Sequence, residues 1–465
     1  MYLIIDQGTS STKSFIIDNN GKITLKNKIA HKLENPKMNH IEFDALEIYK
    51  ACKLLINRSI SAYSKGSIIS LGLSVQRSTF LFWDKDTIQP VTKALSWQDS
   101  RSKNIVERFK NKSNWIFKTT GLPLSPHFGA PKYLKMIDDH PFLKQLIKDD
   151  RIIFGPLSSY LTHALTGKPF IDHSIASRTL LFDINSCSWS DDCLKLFNIP
   201  KSVLPIIKPT KYNYGKVLNY DFSLKCVIGD QQAALIGQNG LKKDSIGMNF
   251  GTSASVLYNS GKDPILVPGL VTSVLFSKKN KITYLTEGTI NACNSLFYYF
   301  EKILKIPHEN MKWNERCKNK KTNGIFITGF SGIASPYWVS GFKDIYWNIN
   351  KNNDDEIIRA GMESIGFLIN DIINIIKKNN PKNINEIVAS GGAARSSLLH
   401  FISDITKQHI ICPEMKDKTA FGVFKILSEK YNVEIKGSKK IYKPKNDISL
   451  SKFKKWNDLI SSIKT

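Results

Sequence analysis

A Gly-Thr-Ser turn that occurs twice, each time between two strand-like runs, constrains the fold of this chain more than any other feature. The first copy, residues 8–10, follows the run 2–5, and the second copy, residues 251–253, follows the run 245–250. The copies are 243 positions apart, which is about half of the 465-residue chain. Two unrelated glycine turns could share three letters by chance. The common strand–turn–strand setting favours an internal duplication, so we predict two similar domains.

The rest of the chain alternates between strand and helix patterns, which is typical of the α/β class. Asp44 is placed to cap the first helix. A turn at Asn239-Gly240, followed by a polar stretch, predicts a boundary between domains 1–240 and 241–465. The main periodic segments are predicted helices at 45–62, 289–303, 354–377 and 419–431, and predicted strands at 13–17, 23–29, 68–75, 225–228, 254–258, 324–328 and 387–390.

The composition predicts a globular protein of a reducing compartment. There is no run of about 18 apolar residues that would predict a membrane span, and no signal peptide pattern at the N-terminus. The seven cysteines are odd in number and widely spaced, without a C-x-x-C pair. This argues against a disulfide framework or a zinc site and favours the cytoplasm.

The formal net charge of +26 raises the alternative of a nucleic-acid-binding protein. Only nine of the 66 basic residues are arginine, and the lysines are spread along the whole chain. Arginine-rich clusters interleaved with aromatic residues, which would be the sharper signal, are absent from the sequence. We therefore expect no nucleic-acid partner.

The segment 6–13 has the composition of a phosphate-binding turn. Gly8 lets the backbone approach an anion closely, and consecutive N–H groups and hydroxyls can surround phosphate oxygens. Asp6 can help to hold Mg²⁺ through water, because this ion prefers carboxylate and water oxygens. The segment lacks the G-x-x-x-x-G-K pattern of a Walker A loop. Taken alone, the segment is better explained as a hydroxyl-rich β-turn.

Asp230 follows the strand-like run 225–228 and precedes an apolar helical segment. A carboxylate at the end of a strand can face a cleft and accept the proton of an attacking hydroxyl in phosphoryl transfer. Without other evidence, a helix N-cap is the simpler interpretation of this aspartate.

A glycine pair, Gly391-Gly392, follows the strand-like run 387–389. Two glycines at a strand-to-helix turn allow a flat ligand, such as an adenine base, to lie against the backbone. Many α/β turns carry such pairs, so this motif is weak by itself.

Two further segments, 76–79 and 96–101, each follow a strand-like run and contain residues that suit a polyol. Charged groups such as Arg77 and Asp99 can hydrogen-bond hydroxyls, while the indole of Trp97 packs on the carbon skeleton. A structural ion pair beside a core tryptophan explains the same residues equally well.

In this order, the motifs resemble those of the FGGY carbohydrate kinases, and the glycerol kinase branch most closely. The resemblance extends from about residue 1 to 425, and eight segments in the expected order make it specific. They are residues 6–11, 34–44, 83–85, 97–101, 176–184, 229–238, 330–338 and 391–393.

The resemblance implies an α/β fold with two RNase H-like domains, of the actin, sugar kinase and Hsp70 type, flanking a cleft. It implies ATP and Mg²⁺ as cofactors and a small polyol or sugar as substrate, and it is compatible with a homo-oligomer. Domain 1–240 would carry the substrate and the catalytic base, and domain 241–465 would bind the nucleotide.

The resemblance also implies roles for individual residues. Asp230 would be the general base, and Asp6 would help to place Mg²⁺. The nucleotide would be bound by Thr9, Ser10, Ser11, Lys13, Gly251, Thr252, Gly391, Gly392 and Ala393. The substrate would be bound by Arg77, Ser78, Trp97, His127, Asp230 and Gln231.

Two substrate positions depart from the glycerol kinase pattern. The glutamate expected after Arg77 is Ser78, and an expected tyrosine is His127. Three functions therefore remain open at this point: a kinase of glycerol or a related polyol, a kinase of another substrate such as a pentose or ketose (xylulokinase-like), and a catalytically silent ATP-binding regulatory protein on the same fold. Retention of Asp6, Asp230 and both Gly-Thr turns argues against the third.

Overall fold

Strands and helices alternate along the chain in a computed structural model, which describes residues 1–64, 66–239, 241–319, 321–380, 384, 386–414, 417–433 and 437–464. Gly240, the last residue of the predicted first domain, lies outside the described residues. None of the helices in the described ranges is both long and apolar enough to cross a membrane. The seven cysteines, all of them described, are unpaired.

The first half of the chain contains the following elements: β1 (Tyr2–Gln7), β2 (Ser11–Ile17), β3 (Ile23–Ala30), β4 (Glu34–Lys37), β5 (His40–Phe43), α1 (Ala45–Ile60), β6 (Ser70–Val75), β7 (Phe80–Asp84), β8 (Ala94–Leu95), α2 (Lys103–Glu107), α3 (Ser113–Thr120), α4 (Gly129–Asp139), α5 (Leu143–Lys148), β9 (Ile152–Pro156), α6 (Leu157–Thr166), β10 (Phe170–Asp172), α7 (His173–Ala176), β11 (Phe182–Asp183), β12 (Ser188–Trp189), α8 (Asp191–Phe197), β13 (Ile206–Lys208), β14 (Lys211–Lys216), β15 (Ser223–Gly229) and α9 (Asp230–Asn239).

The second half contains β16 (Ser245–Phe250), β17 (Ala254–Gly261), β18 (Val271–Lys278), β19 (Lys281–Ile290), α10 (Asn294–Ile303), α11 (Trp313–Asn319), β20 (Ile325–Ile327), β21 (Ile345–Trp347), α12 (Asp354–Asn379), β22 (Glu386–Ser390), α13 (Ser396–Thr406), β23 (Ile410–Pro413), α14 (Lys418–Ser428), β24 (Lys439–Tyr442) and α15 (Leu450–Lys464).

The two halves repeat one strand arrangement. In the first half the order is β3-β2-β1-β6-β15, with antiparallel pairs on the β3 side and parallel pairs on the β15 side. In the second half the order β19-β17-β16-β22-β23 has the same directions. Each Gly-Thr-Ser turn joins the equivalent antiparallel pair, β1–β2 or β16–β17. This confirms the predicted duplication and agrees with the two RNase H-like domains that the resemblance implies.

A single 13-stranded sheet runs through both halves, because β14 of the first half pairs with β18 of the second. A separate five-stranded sheet, in the order β4-β5-β8-β7-β9, belongs to the first half alone. The turns before β7 and after β8 carry Ser78 and Trp97, so this smaller sheet positions predicted substrate residues.

Most predicted elements are confirmed within a few residues. Asp44 caps α1 as expected, since its carboxylate accepts hydrogen bonds from the N–H groups of Leu46 and Glu47. The prediction of a helix from residue 289 is wrong, because Thr289 and Ile290 end strand β19 and the helix begins at Asn294. β-Branched residues in this segment favour a strand, and its pairing with β17 fixes that outcome.

The halves are joined by a close crossing of α9 and α14 at two glycines. A Cβ atom on Gly237 would lie 2.0 Å from the carbonyl oxygen of Lys418. A Cβ on Gly422 would lie 1.9 Å from the carbonyl oxygen of Ala233. These distances are far below contact distance, so the two helix backbones touch where only glycine fits.

Replacing Gly237 by alanine should therefore destabilise the protein. Alanine in an open helix position gains about 0.5–1 kcal/mol over glycine, but the clash with the Lys418 backbone should outweigh this gain by about 1–3 kcal/mol. We expect a lower thermal unfolding midpoint for Gly237→Ala and for Gly422→Ala. Gly392→Ala, whose Cβ would meet nothing within 4 Å, is the control and should melt like the native protein. A midpoint for Gly237→Ala at or above the native value would contradict the backbone contact.

Candidate active site

The predicted motifs meet because the parallel strands of each half end level with one another. In the first half, Gln7, Val75 and Gly229 are in register at the carboxyl ends of β1, β6 and β15. In the second half, Asn249 pairs with Ser390 near the ends of β16 and β22. The turns that follow these strands are the segments that the sequence analysis singled out. Ligands of open α/β sheets bind at this edge.

Thr9 connects the first Gly-Thr-Ser turn, residues 8–10, to the predicted substrate residues. The amide of Gly8 donates to the Ser11 carbonyl, which closes the turn at 3.0 Å. The Thr9 hydroxyl accepts a hydrogen bond of 2.9 Å from Trp97 Nε1. Ser10 is exposed at the tip, whereas Ser11 is buried at the start of β2. The predicted phosphate residues thus contact a predicted substrate residue directly.

Asp6 lies beside Lys13, its partner across the β1–β2 pair. Burial raises the pKa of Asp6 to about 6, even though the charge of Lys13 and a hydrogen bond from Ser74 oppose the rise. A carboxylate destabilised by burial gains from a nearby cation. No group of three His, Cys, Asp or Glu residues suited to a metal occurs in the described ranges. Asp6 fits Mg²⁺ bound mostly through water and phosphate oxygens, the coordination this ion prefers.

The second Gly-Thr turn leaves space above its backbone. The amide of Gly251 donates to the Ser253 carbonyl at 2.9 Å. The carbonyl of Thr252 accepts from the amides of Cys293 and Ser295, which ties the turn to the start of α10. A Cβ on Gly251 would approach only the Ser253 carbonyl, at 3.6 Å. The exposed side of this turn is therefore open to a ligand.

The three residues of the third motif have different surroundings. Gly391 has φ +104°, and a Cβ there would lie 2.1 Å from the carbonyl oxygen of Phe250. Ala393 is buried, and its amide donates to the same carbonyl. Around Gly392, by contrast, a Cβ would meet nothing within 4 Å. Gly391 and Ala393 anchor the turn to β16, and Gly392 faces open space.

Among the predicted substrate residues, the imidazole of His127 contacts the backbone carbonyl of Trp97. His127 Nδ1 lies 3.0 Å from the carbonyl oxygen of Trp97. Because a carbonyl can only accept, Nδ1 donates to it and carries a proton. Burial, together with the charge of nearby Lys132, lowers the pKa of His127 to about 4. His127 is therefore neutral at neutral pH.

Ser78 adopts a left-handed backbone with φ +61°, which is uncommon for a residue other than glycine. The buried ammonium of Lys132 donates to the carbonyls of Ser78, at 2.8 Å, and Ser96, at 2.6 Å. Burial lowers the pKa of Lys132 to about 7, although Asp99 opposes this shift. Lys132 thus fixes the two turns that carry Ser78 and Trp97.

Two arginines and a glutamate form a buried cluster next to Asp230. Arg77 binds Glu287 through two hydrogen bonds, of 2.7 and 2.9 Å. Arg178 donates to the same carboxylate at 3.4 Å. Burial alone would raise the pKa of Glu287, but the charges of the two arginines hold it at about 2. Since Glu287 lies on β19, the cluster joins the two halves.

Asp230 is the first residue of α9, with one carboxylate oxygen 3.6 Å from Arg77 Nε. Burial raises the pKa of Asp230, and Arg77 opposes the shift. The neighbouring Gln231 accepts a hydrogen bond of 3.2 Å from Asn249, which precedes the second Gly-Thr turn. The carboxylate therefore lies between the substrate residues and the turns that could hold phosphates.

Three residues of this site, Arg178, Glu287 and Lys132, had no role predicted from the sequence. Arg178 lies in a segment that carried the resemblance, so a role could have been sought there. Glu287 is a charged residue within a run of otherwise uncharged strand residues after position 281, and that contrast is a usable signal. Lys132 is indistinguishable by sequence from the many surface lysines.

Comparison with known proteins agrees with this geometry. The model of the FGGY family of carbohydrate kinases, N-terminal domain, matches residues 1–237, and the C-terminal domain model matches residues 247–427. A glycerol kinase of Mycoplasma mycoides is 31% identical over 438 residues, which cover 90% of this chain and 87% of that protein.

Solved structures show the same fold. A glycerol kinase of Plasmodium falciparum with ADP has a TM-score of 0.91 and 28% identity, and the match covers 100% of this chain and 99% of that one. A ligand-bound xylulose kinase of Lactobacillus acidophilus has a TM-score of 0.86 at 20% identity, with coverage of 100% and 97%. The fold is therefore the two-domain sugar kinase fold of the actin and Hsp70 type, as the sequence predicted.

We expect Gly251→Val to weaken ADP binding without unfolding the protein. The new methyl groups would occupy the open side of the turn and keep phosphate oxygens from the backbone N–H groups. The loss of such hydrogen bonds should reduce affinity about 10- to 100-fold by isothermal titration.

The thermal midpoint of Gly251→Val should stay near the native value. Gly391→Ala is the contrasting variant, because its Cβ would collide with the Phe250 carbonyl and lower the midpoint. Unchanged ADP affinity in a folded Gly251→Val protein would show that this turn is only structural.

Proposed function

This chain belongs to the FGGY family of carbohydrate kinases, and from that premise we propose that it transfers the γ-phosphate of ATP to a hydroxyl of a small polyol or sugar, with Asp230 as the general base. The observation that carries the proposal is the position of Asp230 at the N-terminus of α9, beside Arg77 and linked through Gln231 to the second Gly-Thr turn. A cytoplasmic location and a homo-oligomer stay predictions.

The electrostatics around Asp230 suit proton acceptance. Its pKa is raised by burial, and a higher pKa makes a carboxylate a stronger base. Arg77 opposes this shift only in part, because its two terminal nitrogens are committed to Glu287. Asp230 is thus oriented by a nearby guanidinium without being fully paired with it.

The nucleotide would lie across both Gly-Thr turns, with its phosphates at the turns 8–11 and 251–253 and its adenosine near Gly392. Mg²⁺, placed by Asp6 and water, would neutralise charge on the phosphates. The chain's own residues would then orient the acceptor hydroxyl towards Asp230 and remove its proton.

The predicted binding site for the polyol or sugar differs from the glycerol kinase pattern at Ser78 and His127. The second half does supply a carboxylate to this region, Glu287, but both of its oxygens accept from arginines. Glu287 is therefore a poor replacement for the missing glutamate. This favours a longer polyol or a sugar over glycerol, and glycerol itself is the second candidate because it is the substrate named for the similar kinases.

Asp230→Asn should abolish most phosphoryl transfer while ADP binding is retained. The amide cannot accept the hydroxyl proton, and general-base assistance contributes about 10²–10⁴-fold. Coupled ADP release on the preferred acceptor, with ADP titration in parallel, tests this. Asp354→Asn, at the first position of α12, is a matched control that should keep native turnover. Near-native turnover of Asp230→Asn would reject Asp230 as the general base. If the native protein binds ADP but transfers phosphate to none of the tested polyols and sugars, the silent ATP-binding alternative is favoured.

Ser78→Glu should shift preference towards glycerol. A restored carboxylate would accept a hydrogen bond from a glycerol hydroxyl, which raises kcat/KM for glycerol about 10- to 100-fold. The same side chain would fill the space that a longer acceptor needs, so kcat/KM for four- and five-carbon acceptors should fall. Ser186→Glu, at an exposed turn, controls for the added charge. Highest native efficiency on glycerol, with no gain from Ser78→Glu, would restore glycerol as the substrate.

A further inference from the structure

Gln76 is a buried glutamine directly after β6, and its side chain joins the first Gly-Thr-Ser turn to the turn before β7. Only 1% of its surface is exposed. Its oxygen Oε1 accepts hydrogen bonds from the hydroxyls of Thr9, at 3.4 Å, and Thr79, at 3.3 Å. Its nitrogen Nε2 donates to the side-chain oxygen of Gln7 at 3.2 Å, and Gln7 donates to the carbonyl of Gly8 at 2.8 Å. One side chain therefore supports the first turn by two routes.

Trp97 closes these contacts into a ring. Its indole Nε1 donates to the Thr9 hydroxyl at 2.9 Å, and its backbone N–H donates to the Thr79 hydroxyl at 3.2 Å. Each threonine hydroxyl has a single proton and already accepts from an N–H group of Trp97, so its own proton goes to Gln76. The side chain and the backbone of Trp97 are thus held through one oxygen atom. Thr9, Gln76, Thr79 and Trp97 together form what we call the hydrogen-bond ring.

The hydrogen-bond ring reaches both predicted ligand sites. Thr9 belongs to the predicted phosphate-binding turn, and Trp97 is a predicted substrate residue that is 36% exposed. Because the indole N–H is bonded inside the ring, the exposed part of the indole is apolar surface, which suits the carbon skeleton of a polyol or sugar. Gln76 and Thr79 are buried, so their effect on a ligand passes through the residues that they hold.

We propose that Gln76 is a positioning residue that couples the two substrates: through the hydrogen-bond ring, an acceptor bound at Trp97 strengthens the binding of nucleotide phosphates at residues 8–10, and the nucleotide strengthens acceptor binding in return. The acceptor here is the polyol or sugar that receives the phosphate. An acceptor packed on the indole restricts Trp97 and with it the Thr9 hydroxyl, so the turn is already ordered when the phosphates bind. Such coupling is reciprocal by thermodynamic necessity. The inference rests on the proposed function and adds how its two substrates cooperate.

Binding of a non-hydrolysable ATP analogue measures the coupling without turnover. The probe is adenylyl imidodiphosphate with Mg²⁺, titrated by calorimetry without acceptor and with acceptor at a saturating concentration. The acceptor is whichever of glycerol, xylitol, dihydroxyacetone and xylulose gives the highest kcat/KM. We expect the acceptor to lower the Kd of the analogue about 10-fold, which is within the usual range for coupled sites. The analogue should lower the Kd of the acceptor by the same factor.

Gln76→Met and Trp97→Phe test whether the hydrogen-bond ring carries the coupling. Methionine removes the shared amide oxygen, and phenylalanine removes the indole N–H while it keeps an aromatic face. Each variant should reduce the coupling factor to about threefold or less. The double variant should reduce the factor no further, because both changes break the same ring. A purely structural role of Gln76 would lower the thermal midpoint or both affinities and leave the factor unchanged.

Asn259→Leu is the matched control. Asn259 is another buried side-chain amide, 1% exposed, and it bonds the carbonyl of Lys242 and the amide of Gly261. It lies near the end of β17 that is farther from the second Gly-Thr turn. This control should lower the thermal midpoint but keep the native coupling factor.

A native factor near one, or a native factor that persists in folded Gln76→Met, would overturn the inference while the kinase function stands. If Gln76→Met does not fold, Trp97→Phe decides alone, since it leaves the buried glutamine in place. Absence of ADP release with all four acceptors would instead reject the proposed function, and the inference with it.

Discussion

The buried ion pair between Arg77 and Glu287 is the interaction on which the candidate site depends. Arg77 follows β6 of the first half and Glu287 belongs to β19 of the second, so the pair spans the duplication. Glu287 is 1% exposed, and loss of one partner from such a pair leaves an uncompensated buried charge at a cost of about 3–5 kcal/mol. The same pair holds Arg77 beside Asp230, and its Glu287 also accepts a hydrogen bond from Arg178. This one ion pair therefore fixes both Arg77, a predicted substrate residue, and its position relative to the predicted base Asp230.

The glycine crossing of α9 and α14 supplies the second constraint. α9 begins with Asp230, and α14 comes from the other half of the chain. Backbone contact at Ala233 and Gly237 fixes α9 directly against α14. The Asp230 carboxylate therefore has a defined position, although the residue is only half-buried.

Local patterns predicted the strands and turns well because the relevant signals lie within a few residues. The strand pairs around residues 8–10 and 251–253 and the cap by Asp44 are examples. The helix start near residue 289 was missed because pairing with β17, more than 30 positions earlier in the chain, overrides the helical spacing.

At the site, the motif residues could be named from sequence, whereas Glu287 and Arg178 could not be given roles. Their significance arises from a contact across 109 positions of chain. The environment of Ala393, buried rather than open, likewise depends on the distant Phe250.

The packing of α14 has a consequence for how the chain folds during synthesis. α14 covers part of the first-half sheet, where Gly72 lies against Val423 and Tyr2 against Phe424. One apolar layer contains residues from β1, β2 and β15 together with residues of α14. The ribosome must therefore add more than 400 residues after β1, up to α14, before this face of the first sheet can be covered. Gene duplication produced two similar halves here, but the nascent first half cannot complete its own core.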